Sequence, residues 1–145
     1  MQKSARRLPQ SGQASVEALL VLMILGLVIF GGIELSQGIA LRQALDSGSS
    51  AAARALSLDP SQWNFAIGLV QQTVDQNDMG ASSPVTVRVF DAANSERSAA
   101  WLSASPFGTA FRVEASAPFQ SMIPFLPTSA VTVRVRHWGI VERYP

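Results

Sequence analysis

Two glutamates stand at the ends of an apolar run. Glu17 precedes and Glu34 follows Ala18–Ile33, ALLVLMILGLVIFGGI, sixteen residues without a charged or strongly polar side chain. If the run crosses a membrane, both carboxylates sit near the edges of the hydrocarbon layer, where an acid is costly and marks a candidate functional residue. Other chemistry-bearing residues are sparse. The chain has no cysteine and a single histidine, His137. That excludes a thiol nucleophile, a disulfide framework and any cysteine-ligated or multi-histidine metal site. Asp75 and Asp78 can share a helix face but fall in a solvated last turn. No Gly-x-Ser-x-Gly elbow, phosphate loop or GxGxxG occurs. No convergent catalytic set is visible, so the expectation is no enzyme, no cofactor and no metal.

The apolar run needs an element to carry it. At about 1.5 Å per residue a helix over sixteen residues covers roughly 24 Å, short of the ~30 Å hydrocarbon core. Gln13–Glu17 on one side and Glu34–Leu41 on the other complete the span. Lys3, Arg6 and Arg7 precede it with no acid among the first twelve residues, so the positive-inside rule puts the amino terminus in the cytoplasm and the remainder outside. Hydropathy leaves open a cleaved secretory signal and an uncleaved signal anchor whose outer domain binds a ligand or protein partner. Over 145 residues there are eleven Lys+Arg against ten Asp+Glu, a net charge of +1. That balance argues against a nucleic-acid binder. Without residues 1–12, eight basic side chains face ten acidic ones; the positive charge belongs to those first twelve residues.

The front edge of the run reads Gly12-Gln13-Ala14-Ser15-Val16-Glu17. A glycine, a glutamate five residues on and then an uninterrupted apolar helix resembles the type IV prepilins. Gly12-x-Ala14-x-Val16-Glu17-x-Leu19-Leu20, followed by Phe30-Gly31-Gly32-Ile33-Glu34-Leu35, resembles more narrowly the TadE-like minor pilins, or pseudopilins, of tight-adherence pilus systems. Glu34 separates the pattern from generic type II secretion pseudopilins. Gln13 stands where that other family usually has phenylalanine. Many TadE-like sequences carry a proline in mid-span where this chain has Met23, so a straighter helix is expected. The resemblance implies cleavage by a prepilin peptidase between Gly12 and Gln13, and subunit assembly through Glu17 and Glu34. In pilins the acid matching Glu17 is thought to pair with a neighbour's new amino terminus. The implied partners are that peptidase, the major pilin and other minor pilins, the inner-membrane pilus assembly platform and membrane lipid. The implied location is the inner membrane, single-pass, or the pilus itself.

Beyond the span, residues 35–56 remain helix-compatible, and Ala40, Ala44, Gly48, Ala51, Ala52, Ala53 and Ala55 permit close helix approach. Ser47-Gly48-Ser49-Ser50 is the point where a break is conceivable; continuity to Leu56 is favoured, giving a helix of roughly 66 Å. Ala51-Ala52-Ala53-Arg54 also resembles the TadE-like pattern. Asp59 as N-cap with Pro60 at the first helical position predicts a second helix, with Trp63, Ile67, Val70 and Val74 as its apolar stripe and Gly80 as its stop. Val85–Val89, Phe111–Ala115 and Val131–Arg136 alternate as strands. They predict one antiparallel sheet, its apolar face under the second helix and Arg88, Arg112, Glu114, Arg134 and Arg136 on the solvent face. Parity places His137 on the apolar face. Long connections are expected at residues 91–107 and 118–130, the second with Met122-Ile123-Pro124-Phe125-Leu126-Pro127 plugging the core end. The expected fold is α+β: a long N-terminal transmembrane helix, then a small domain with one helix on an antiparallel sheet of about three strands. The expected divisions are a leader at 1–12, a transmembrane and assembly helix at 13–56 and an outer domain at 57–145.

Overall fold

The structure, a computed structural model, describes residues 11–77, 84–119 and 131–142. The leader's basic residues, Asp78, Gly80 and the Met122–Pro127 segment lie outside the described residues. Helix α1 runs Ser11–Leu58 without a break, about 72 Å at 1.5 Å per residue. It continues through the serine–glycine stretch because that stretch is packed. A Cβ on Gly48 would lie 3.0 Å from the Val70 Cα of the next helix, and the fully buried Ser49 donates from Oγ to the Asp46 carbonyl at 3.2 Å. Tertiary contact there outweighs the low helix propensity of glycine and serine.

Helix α2 spans Trp63–Asn77, so Asp59-Pro60 is not its start. The Asp59 N–H still bonds back to Ala55 O at 2.9 Å, and Gln62 N–H closes a turn on Asp59 O at 3.1 Å. The Asp59 carboxylate accepts from the Ser61 N–H, the Ser61 hydroxyl and the Gln62 amide. Its capping capacity is spent on the connection between helices. The α2 stripe that becomes buried is Ala66, Val70 and Val74, with Trp63 packed at its rim; Ile67 is half-buried.

Strand β1 (Thr86–Asp91), β2 (Glu96–Arg97), helix α3 (Ala99–Ser103), β3 (Ala110–Phe119) and β4 (Val131–Ile140) follow. The sheet is antiparallel throughout, in the order β2-β1-β3-β4. It has one strand more than expected, because residues 91–107 do not form a long loop. Asp91 turns the chain: its Oδ1 accepts from the Ala93 and Ser95 N–H groups, both at 2.9 Å, and Asn94 takes a left-handed φ of 64° that asparagine tolerates. The hairpin yields β2, and Ser98 then caps the short α3 through its Oγ.

The apolar parity of the strands is as expected: Val89, Phe111, Val113, Ala115, Ala117 and Val135 are buried. What lies on them differs. The closest approach to the sheet comes from the C-terminal part of α1, against β4 and β3, while α2 packs mainly on α1. Leu41, Ala44, Leu45, Ala52, Ala53 and Leu56 are therefore core residues of the domain. At Gly139 the approach is so close that an added Cβ would meet the Phe111 ring and the Ser57 Oγ.

Candidate functional site

Helix α1 is divided into two environments. From Leu41 onward it supplies the core. Before that, Val16, Leu19–Leu25 and Leu27–Phe30 are each more than half exposed, up to 76% at Leu27. At about 1.5 kcal/mol or more per exposed large apolar side chain, water would oppose this surface by on the order of 20 kcal/mol. That exceeds the whole stability of an ordinary small domain, ~5–15 kcal/mol. Lipid or other apolar helices must cover it. None of the most apolar 18-residue window, of mean hydropathy 2.6, is buried inside the protein, which removes the alternative of a core helix.

The predicted site residues lie along this free part. Gly12 is in the first turn of α1 with nothing near the position of a Cβ. Gln13 is exposed and donates from Nε2 to Glu17 Oε1 at 3.2 Å, one helical turn on. Glu17 is exposed and Glu34 half-buried. Seventeen residues separate the two glutamates, about 26 Å along the axis, so α1 brings Gln13 and Glu17 together and keeps Glu34 apart. An exposed carboxylate at the head of an apolar helix has acceptor capacity open to the surroundings. Among the described residues, the neutral amide of Gln13 is the side chain within hydrogen-bond distance of it.

The domain end of α1 is tied to the sheet by polar contacts. His137 of β4 lies on the α1-facing side, as parity predicts, and its Nε2 is 2.9 Å from Asp46 Oδ1. The Glu142 N–H donates to the Ser57 carbonyl at 2.8 Å. Asp46 carries no sequence signal for this role, since its partner is 91 residues away.

On the opposite face of the sheet, Arg88, Glu114 and Arg136 are direct cross-strand neighbours. Glu114 is not solvated as expected. Its side chain is only 10% exposed, held by Arg136 at 2.8 Å and Arg134 at 3.3 Å. Arg112 lies between the Phe90 and Trp138 rings, 4.9 and 5.5 Å from their centroids, and donates to Asn94 Oδ1 at 2.6 Å. Asp91 is chelated by Arg97. The Ser95 N–H above all, and then the Arg97 guanidinium, hold its carboxyl below the ordinary value of 3.8.

These features define a helix-anchored α+β protein with one segment long and apolar enough to cross a membrane, the layout of a single-pass membrane protein. Residues 12–54 match the TadE-like protein family. The matched segment holds Gly12, Gln13, Glu17 and Glu34 and extends into the part of α1 that enters the core, and it bears out the resemblance in the sequence. The family points to a pilus-associated, pilin-like protein of a structural kind. No curated protein and no solved structure matches the chain.

Proposed function

We propose that this protein is a minor pilin or pseudopilin of a tight-adherence-type pilus, cleaved by a prepilin peptidase between Gly12 and Gln13. One observation carries the proposal: α1 is a single continuous helix whose first half is apolar, exposed and headed by Glu17, and whose second half is packed into the domain. Such a helix transmits any packing of its free half among other pilin helices directly to the domain. Residues 1–12 are the leader, residues 13–56 the spanning and assembly helix, and the rest of the chain the outer domain. Lys3, Arg6 and Arg7 keep the amino terminus in the cytoplasm, so the chain is single-pass in the inner membrane before it joins the fibre.

The proposed scissile bond lies in the first helical turn, where N–H groups lack intrahelical acceptors and opening is least costly. Cleavage there creates a cationic α-amino group at Gln13, the chemistry that an exposed Glu17 of a neighbouring subunit would pair with. Glu34, one span further on, lies near the opposite membrane edge, where it can meet polar groups of other pilins or of the assembly platform.

Amino-terminal sequencing of the membrane-extracted protein, from cells with and without a prepilin peptidase, tests this. A mature chain beginning at Gln13 only when the peptidase is present supports the proposal. An intact Met1 start in both strains refutes it and leaves a signal-anchored envelope protein. Gly12→Phe is expected to abolish processing; unchanged processing in that variant means the bond is misassigned.

A further inference from the structure

A groove of about 640 Å³ opens between the last turns of α1 and the end of β4. Its helix wall is Ser50, Ala53, Arg54, Ser57 and Leu58, one face at spacings of three and four. Its other wall is the consecutive run His137–Ile140, with Glu142 beyond. Consecutive strand residues point alternately to opposite faces. His137 and Gly139 face α1, whereas Trp138 and Ile140 face away and are 60% and 53% exposed. A cleft reached by both sets runs along the edge of the strand, not over one face.

That edge is unpaired by any described residue: β4 pairs with β3 alone and ends the sheet. The Val141 N–H donates to Thr109 O, and the Val141 carbonyl accepts from the Gly108 N–H. The odd-numbered residues of β4 thus direct their backbone groups toward β3. The even-numbered ones, Trp138 and Ile140 among them, direct N–H and C=O outward. The Glu142–Ser57 hydrogen bond closes one end of the groove and the His137–Asp46 contact bridges strand and helix at the other. Between them lie four residues, five steps along the chain or roughly 17 Å. Arg54 stands in the helix wall with no described partner for its guanidinium.

An unpaired strand edge beside a helix wall is the arrangement that takes an extended peptide as an added strand, with backbone bonds for affinity and wall side chains for selection. We propose that this groove binds an extended segment of another protein chain, about four or five residues long, which pairs with the β4 edge at Trp138 and Ile140 and places a carboxylate against Arg54. Alternate residues of the segment face α1, so its acidic residue is flanked by residues that do not. The inference is independent of processing at Gly12.

The test uses the full chain in detergent micelles and the labelled probe acetyl-Thr-Val-Glu-Val-Thr-amide, followed by fluorescence anisotropy and by amide hydrogen exchange. Saturable binding with exchange slowed at least tenfold at the Trp138 and Ile140 amides supports the proposal. So does a loss of tenfold or more in affinity when alternate probe amides are N-methylated. Arg54→Gln should weaken the glutamate probe about five- to tenfold and leave the glutamine version of the probe unchanged. Absence of binding, unaltered exchange at those two amides, or equal binding of the N-methylated probe overturns it. Equal affinities for the two probe versions in the parent protein overturn the role of Arg54. Exchange that slows with protein concentration alone shows that a second copy fills the groove, and that too overturns the proposal.

Discussion

Gly139→Ala probes the junction on which the pilin-like design depends, the seat of α1 on the sheet. The new Cβ would lie 2.5 and 2.9 Å from two carbons of the Phe111 ring and 2.9 Å from Ser57 Oγ. Carbon–carbon contacts settle near 3.5–4.0 Å, so ring and strand must separate by about 1 Å. Phe111 is fully buried and has no open side to retreat into. Overpacking of this kind costs about 1–3 kcal/mol. Removing a glycine from the unfolded chain offsets roughly 0.4–1 kcal/mol, leaving a net loss of about 1–2 kcal/mol. For a domain of this size each kcal/mol lowers Tm by roughly 4–8 °C, so a fall of about 5–15 °C is expected. The assay is thermal unfolding of the full chain in detergent, followed by near-ultraviolet circular dichroism of its aromatic residues. Gly31→Ala, where a Cβ meets nothing, is the matched control and should leave the domain transition in place. In Gly139→Ala combined with Phe111→Leu the two losses should be less than additive by at least ~0.5 kcal/mol. A Gly139→Ala protein as stable as its parent, with additive losses in the double variant, would refute the close seating of α1 on β4.

Four further substitutions read other parts of the structure in the same unfolding assay. Gly48→Val pushes on the Val70 backbone and Thr73 and should cost about 1–3 kcal/mol, whereas Gly68→Ala, in open space on α2, should gain about 0.5–1 kcal/mol of helix propensity. Glu114→Gln removes the carboxylate shared by two arginines. Because both guanidiniums are about half exposed, the loss should be about 1 kcal/mol and should shrink in high salt. The Asp91 carboxyl is depressed in the folded state, so its stabilising contribution is fully present above the ordinary value of 3.8 and is lost as pH falls below it through the folded value. Asp91→Asn should flatten that acid limb of the stability–pH curve while leaving the curve above pH 5 parallel to the parent's; an unchanged acid limb would place the pH dependence elsewhere.

Local pattern made most of the elements legible. Alternation in Val131–Arg136 and Phe111–Ala115 named the strands and assigned their buried faces correctly, because one-sided burial imposes a period of two. The apolar run and its flanking residues announced the helix that matches the TadE-like family. The fourth strand escaped because it has only two residues and depends on the Asp91 turn. The start of α2 escaped because Asp59 and Pro60, good capping residues in isolation, are occupied by the turn between helices.

The sequence by itself determined that a charge-free apolar helix with a glutamate at each end precedes a small α+β domain, and that Gly12 and Glu17 stand at its head. These are properties of composition and spacing along a single segment. Tertiary structure alone decided that the same helix, rather than α2, makes the closest seat on the sheet, that Asp46 meets His137, that Glu114 is enclosed by two arginines, and that β4 ends the sheet beside a groove. Each of those pairs residues far apart in the chain, and their association is set by how close two backbones can come. Where α1 meets α2 and β4, that distance is governed by the missing side chains of Gly48 and Gly139, and a missing side chain carries no periodic signal.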